Sequence, residues 1–115
     1  MDVYERALDF IRVASSIRRK LVPGHASLAD QLDRAAVSIA LNIAEGAGEF
    51  ARNEKARFYR IARRSGTECA AVLDVVLVLE LAEERQMSAA KAQLAEIVGS
   101  LIGLGKKMEE KGKSG

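Results

Sequence analysis

From Tyr4 to Met108 the apolar residues recur every three or four positions, and Pro23 is the only proline in the chain. That spacing follows the 3.6-residue turn of an α-helix and excludes the alternation of a half-buried strand. A chain with one helix breaker and this period can fold only as a few long helices.

The first helix carries Tyr4, Ala7, Leu8, Ile11, Ala14, Ile17 and Leu21 on its core face. Arg18, Arg19 and Lys20 occupy its last turn, where cations complement the helix dipole, and Pro23-Gly24 end it. The second helix, with Ser27 as its N-cap and Asp30 in the first turn, repeats at Leu28, Leu32, Ala35, Ala36, Ile39, Ile43 and Gly46. Gly46 and Gly48 are its stop signals. Asn53 caps the third helix, whose core face reads Phe58, Ile61, Ala62, Ser65, Cys69, Val72, Leu73, Val76 and Leu79. Val75 to Leu79 alone would pass for a strand, but the spacing from Phe58 onward decides for helix. Ser88 caps the fourth helix, which repeats at Leu94, Ile97, Leu101, Leu104 and Met108. Gly99, Gly103 and Gly105 in that helix imply close packing or a frayed end. Four helices joined by short turns predict an all-α fold, an antiparallel up-down-up-down four-helix bundle. The bundle is expected over residues 1–110, followed by a disordered C-terminal tail over 111–115.

The 115 residues suffice for one core without staples. At 49% hydrophobic and 30% charged, the chain is too apolar for a disordered one. Cys69 and His25 are each the only residue of their type, which excludes an internal disulfide and a cysteine–histidine zinc site. No metal or cofactor is expected. The first residues, Met1-Asp2-Val3-Tyr4-Glu5-Arg6, lack a signal-peptide pattern. The most apolar run, Cys69 to Ala82, is broken by Asp74 and Glu80 and is shorter than the ~20 residues of a membrane span. A cytoplasmic protein without membrane contact is expected.

Helix three is apolar on more than one side, because Val75, Leu77 and Val78 lie off the face of Val72, Leu73 and Val76. Val37, Leu41 and Ala44 lie off the core face of helix two in the same way. Spare apolar surface on two helices implies a homo-oligomer. Gln31, Arg34, Ser38, Asn42, Glu45 and Glu49 form a polar stripe beside the core face of helix two. Such a stripe is either a hydrogen-bond network that fixes register or a solvated edge.

Charge is segregated along the chain. Net charge is only +2, yet residues 50–64 carry six Arg or Lys against Glu54 alone. Arg52, Lys55, Arg57, Arg60, Arg63 and Arg64 spread over a wide arc of helix three, a pattern that can hold phosphates. Tyr59 lies near them and could stack on a base. RNA and DNA fit equally. The bland alternative is a solvated charged face.

Catalytic patterns are lacking, with no paired metal-binding histidines and no phosphate loop. Arg19 and His25 resemble the arginine–histidine motif of HEPN-type ribonucleases, but the spacer Lys20-Leu21-Val22-Pro23-Gly24 forms a loop. The chain is read as a binding protein, not an enzyme.

Gln31-Leu32, Arg34-Ala35, Ser38-Ile39, Asn42-Ile43-Ala44-Glu45-Gly46 and Gly48, then Arg57-Phe58-Tyr59, Ile61-Ala62, Ser65 and Glu68, carry a family resemblance. They resemble the four-helix-bundle proteins encoded within intervening sequences of 23S ribosomal RNA genes. Tyr4, Ala7 and Phe10 fit the opening of that family. The resemblance implies a bundle that assembles into a ring, expected to be a pentamer, with no established enzymatic activity. It implies a relation to the strongly basic accessory protein of diversity-generating retroelements, which binds nucleic acid and a reverse transcriptase. Motif positions Arg34, Ser38, Asn42 and Glu45, with Gln31 and Glu68, are then expected to form a structural polar network. Two functions stand side by side: an oligomer that holds structured nucleic acid on helix three, or a protein-interaction scaffold that does not bind nucleic acid.

Overall fold

The computed structural model describes residues 1–114, with side chains through Glu109. Four helices follow one another as α1 (Val3–Leu21), α2 (Ala26–Gly48), α3 (Arg52–Val78) and α4 (Glu84–Ser114). They form a four-helix bundle 52 × 22 × 20 Å in extent, and no strand occurs among the described residues. The tail expected over 111–115 lies outside the residues described in full.

Three helix starts differ from the sequence reading, each for a local reason. α2 begins at Ala26, ahead of Ser27, with His25 at the cap position and no side-chain cap. Gly24 sits at φ +115°, a conformation other residues rarely adopt, and turns the chain so that the His25 N–H meets the Leu21 carbonyl at 2.9 Å. α3 starts from Ala51, so Asn53 falls inside its first turn. There Lys55 Nζ donates to the carbonyls of Gly46 and Ala47 at 3.1 and 3.2 Å, tying the end of α2 to the start of α3. α4 begins at Glu84, a full turn before Ser88, which brings Met87 into the core. At α1 the Asp2 and Glu5 side chains cap each other's backbone N–H at 2.8 and 3.2 Å, a reciprocal capping box.

Each helix touches its two neighbours around a square: α1 packs on α2 and α4, and α3 packs on α2 and α4. Between α2 and α3 the contacts run in opposite sequence order. Ser38 meets Ser65, while Gly46, further along α2, meets Tyr59, earlier on α3. The core is aliphatic, with Ile17, Leu21, Leu32, Ile39, Leu73, Val76, Ile97 and Leu101 fully buried. Its two aromatic residues are not the ones the spacing favours. Phe10 is buried on α1 while Tyr4 and Leu8 are exposed. On α3 Tyr59, 8% exposed, takes the inward position and Phe58 is only half-buried.

Tyr59 turns inward because Gly46 leaves room for it. A Cβ at Gly46 would sit 2.6 Å from Tyr59 Cε1. A smaller version of the same approach occurs where Val98 of α4 lies over Gly66. Gly99, Gly103 and Gly105 are different: a Cβ at any of them would meet nothing within 4 Å.

α3 ends in a Schellman motif, with the Leu81 N–H on the Val76 carbonyl and the Glu80 N–H on the Leu77 carbonyl, both at 3.0 Å. Glu80 holds the left-handed position at φ 56°, where glycine is the usual occupant.

Two stability outcomes follow at fixed protein concentration. Gly46→Ala should lower unfolding free energy by about 1–2 kcal/mol, because overpacking against Tyr59 outweighs the better helix propensity of alanine. Glu80→Gly should raise it by about 1 kcal/mol by relieving the left-handed backbone. Denaturant titration of each variant measures both.

Candidate functional site

The basic half of α3 is not one uniform face. Arg57 is engaged locally: its Nε and Nη2 donate to Glu54 Oε2 at 3.2 and 3.1 Å, and its guanidinium lies 4.5 Å from the Phe58 ring centre. Lys55 is committed to the end of α2. Arg52, Arg60, Arg63 and Arg64 are exposed, and among the described residues none has an ion-pair partner.

Three of these four open arginines line the seam between α3 and α4. One cleft of about 150 Å³ is bounded by Tyr59, Arg60 and Arg63 from α3 and by Leu101, Ile102, Gly105, Lys106 and Glu109 from α4. A second, of about 240 Å³, lies between Arg52, Asn53, Ala56 and Arg60 on one side and Met108 and Glu109 on the other. The two share Arg60 and Glu109 and so form one track along the seam. Arg64 lines neither. Tyr59 contributes to the cleft wall but its ring is buried against Gly46, so it cannot stack on a base. Burial pushes its phenol pKa up.

The aromatic that does stand free is Phe50, 99% exposed in the short link between α2 and α3. The sequence held a signal for it, since Phe50 follows Gly46 and Gly48 and belongs to neither helical face. Lys106 carries no such signal, because no spacing within α4 reveals that it will border the cleft with α3.

The polar stripe of α2 splits in two. Ser38 and Ser65 share a hydrogen bond between their hydroxyls at 2.8 Å. Asn42 Nδ2 donates to the Ser38 carbonyl and hydroxyl at 2.9 and 3.1 Å. Gln31, Arg34, Glu45 and Glu68 are exposed, with no side-chain hydrogen bond among the described residues. Beside the triad, Asp33, Arg34, Val37, Ser38, Leu41 and Asn42 line a shallow, mainly apolar groove of about 370 Å³. Leu41 is 60% exposed at this groove, and Val78 is 79% exposed at the end of α3.

The remaining reactive groups are placed apart. Arg19 donates to Ser15 on its own helix at 3.5 Å, while the His25 backbone joins α1 to α2. Cys69 is a free, buried thiol whose pKa is pushed up to about 12 by burial, with the Glu68 carboxylate adding to the shift. It therefore stays protonated and poorly nucleophilic near neutral pH. No cluster of three metal-ligating side chains occurs among the described residues, and no described helix is long and apolar enough to cross a membrane.

No curated protein matches the chain. Among solved structures, a protein of unknown function from the S23 ribosomal protein family of Bacteroides thetaiotaomicron is similar, with a TM-score of 0.86 at 22% identity. The match covers 91% of this chain and 99% of that one, and at this identity it speaks to the fold alone. Residues 1–103 match the family model described as 23S rRNA-intervening sequence protein. That span takes in α1 to α3 whole and most of α4, including the Ser38–Asn42–Ser65 triad and the arginines of α3, and the chain belongs to the 23S rRNA-intervening sequence protein family.

Proposed function

We propose that this protein acts by binding and not by catalysis, as an oligomer that holds structured nucleic acid on the basic half of α3. One observation carries the reading. Elsewhere in the bundle Arg6, Arg12, Arg18 and Lys91 are paired with carboxylates and the unpaired Arg19, Lys20, Arg34 and Arg85 are spread over α1, α2 and α4, whereas Arg52, Arg60, Arg63 and Arg64 crowd one stretch of α3 with no such partner among the described residues. Like charges gathered without counter-charges destabilise a fold unless an anion meets them. A nucleic-acid backbone supplies phosphates at regular intervals. The family is named for sequences within 23S rRNA, so structured RNA is the first ligand to test.

The order of contacts between neighbouring helices supports an antiparallel up-down-up-down arrangement. Self-association is supported by Leu41, Val37, Val75 and Val78, apolar side chains exposed on α2 and α3. Closed rings arise from heterologous interfaces, and a pentameric ring is the assembly we favour. The lone buried thiol suits a reducing cytoplasm. The exposed apolar surface equally favours a second reading, a scaffold that meets another protein and leaves the arginines to solvent.

Labelled structured RNA and duplex DNA, titrated at two salt concentrations, separate the two. The wild-type protein should bind in the micromolar range or tighter and weaken steeply with salt. Arg60→Glu combined with Arg63→Glu should abolish that binding while the melting temperature holds. Unchanged affinity in the double variant sinks the nucleic-acid reading. For assembly, Leu41→Lys should shift the sedimenting species toward monomer, and an unaltered profile removes this α2 surface from the interface.

A further inference from the structure

We infer that the cleft between α3 and α4 is a phosphate-binding site, built by Arg60 and Arg63 from one helix and Lys106 from the other around the open backbone of Gly105. The inference rests on the nucleic-acid reading and narrows it from a charged face to a defined recess.

Five observations meet there. Arg60 and Arg63 are one turn apart on α3 and border the same cleft, so their guanidinium groups can approach one anion from one side. Lys106 borders it from α4, and none of the three has an ion-pair partner among the described residues. The cleft, at about 150 Å³, has roughly the volume share of five water molecules, room for a phosphate group with part of its hydration. Gly105 supplies part of that room, since a Cβ there would meet nothing within 4 Å. Leu101 and Ile102 form an apolar wall, which lowers the local dielectric and strengthens charge interactions inside.

Glu109 is the one acid bordering the cleft. It opposes an anion and stands where the two clefts meet, so it weakens binding and keeps the site from holding phosphate tightly. Arg64 is the natural control: an exposed arginine on the same helix that borders neither cleft.

The test compares variants of the full chain against structured RNA and against inorganic phosphate. Lys106→Glu and Arg64→Glu make the same change in net charge. Lys106→Glu should weaken RNA binding about ten-fold or more, and Arg64→Glu much less. Gly105→Leu should cause a comparable loss with no change of charge, because its side chain fills the recess, and its melting temperature should not fall. Glu109→Gln should tighten binding roughly two- to five-fold. Titration with inorganic phosphate, followed by backbone amide shifts, should saturate with changes concentrated at residues 60, 63, 105 and 106.

Equal losses for Lys106→Glu and Arg64→Glu, with Gly105→Leu binding like wild type, overturn the cleft and leave a diffuse basic face. Phosphate shifts spread evenly over all the cationic residues overturn it too. If the wild-type protein fails to bind RNA and DNA yet phosphate still saturates at the cleft, the nucleic-acid reading falls and the cleft stands as a site for a small phosphate compound.

Discussion

Between α2 and α3, Gly46 lets the Tyr59 ring lie against helix backbone, and the basic half of α3 takes its orientation from that contact. With Tyr59 held inward, residues one and four positions further along α3 turn toward α4, which is how Arg60 and Arg63 come to border the seam. Arg57 and Arg64 are carried round to the outer side. The same approach brings the end of α2 within reach of Lys55, whose ammonium satisfies carbonyls that a helix end leaves orphaned. A second lock lies further along the α2–α3 contact, where Ser38 and Ser65 bond to each other. That bond contributes only about 1 kcal/mol net, but sliding the helices would leave Ser65 buried without a partner at a cost of about 1–3 kcal/mol. The hydroxyl pair therefore opposes alternative registers more strongly than it stabilises this one.

The charge distribution follows from the same packing. α1 pairs part of its cations with carboxylates, Arg18 with Asp30 and Asp33 of α2 and Arg12 with Asp9, while Arg19, Lys20 and Arg34 have none among the described residues. Arg6 and Lys91 reach carboxylates on neighbouring helices. All these pairs are at least partly exposed, so each adds little stability, and the surplus of cations on residues 50–64 is balanced in the net charge by acids elsewhere, such as Glu45, Glu49, Glu68, Glu80, Glu83 and Glu84. The low net charge of the whole chain thus conceals a concentrated local field, and a field of that kind steers anionic partners.

The helices were legible because burial imposes a three-four period, and Leu32, Ile39, Leu73, Ile97 and Leu101 obey it. Helix starts were less so. Ser27, Asn53 and Ser88 have good capping chemistry, yet the boundaries fall where the turn geometry at Gly24, the Lys55 tie and the burial of Met87 place them. A propensity of about 1 kcal/mol yields to a tertiary contact of similar size. The exchange of Phe58 for Tyr59 has the same origin, since only the vacancy at Gly46, on another helix, makes the tyrosine the better fit. The basic residues of α3 could be read as a cluster. Their division into engaged Lys55 and Arg57, seam-facing Arg52, Arg60 and Arg63, and outlying Arg64 depends on neighbours distant in sequence.

The glycines of α4 bear on what the seam is for. Each glycine in a helix interior lowers stability by about 1 kcal/mol relative to alanine. Gly46 and Gly66 offset that loss through close packing with Tyr59 and Val98. Gly99, Gly103 and Gly105 have no such contact, and nothing within one copy of the chain explains the first two. Gly105 is different because it coincides with unpaired Arg60, Arg63 and Lys106. A weak helix former and three uncompensated cations each lower stability, and they lie around the same small recess. Unrelated defects have no reason to gather at one cleft, whereas a ligand site needs both the space and the charge. Their coincidence is the physical reason to place phosphate recognition at the seam and not along the whole face of α3.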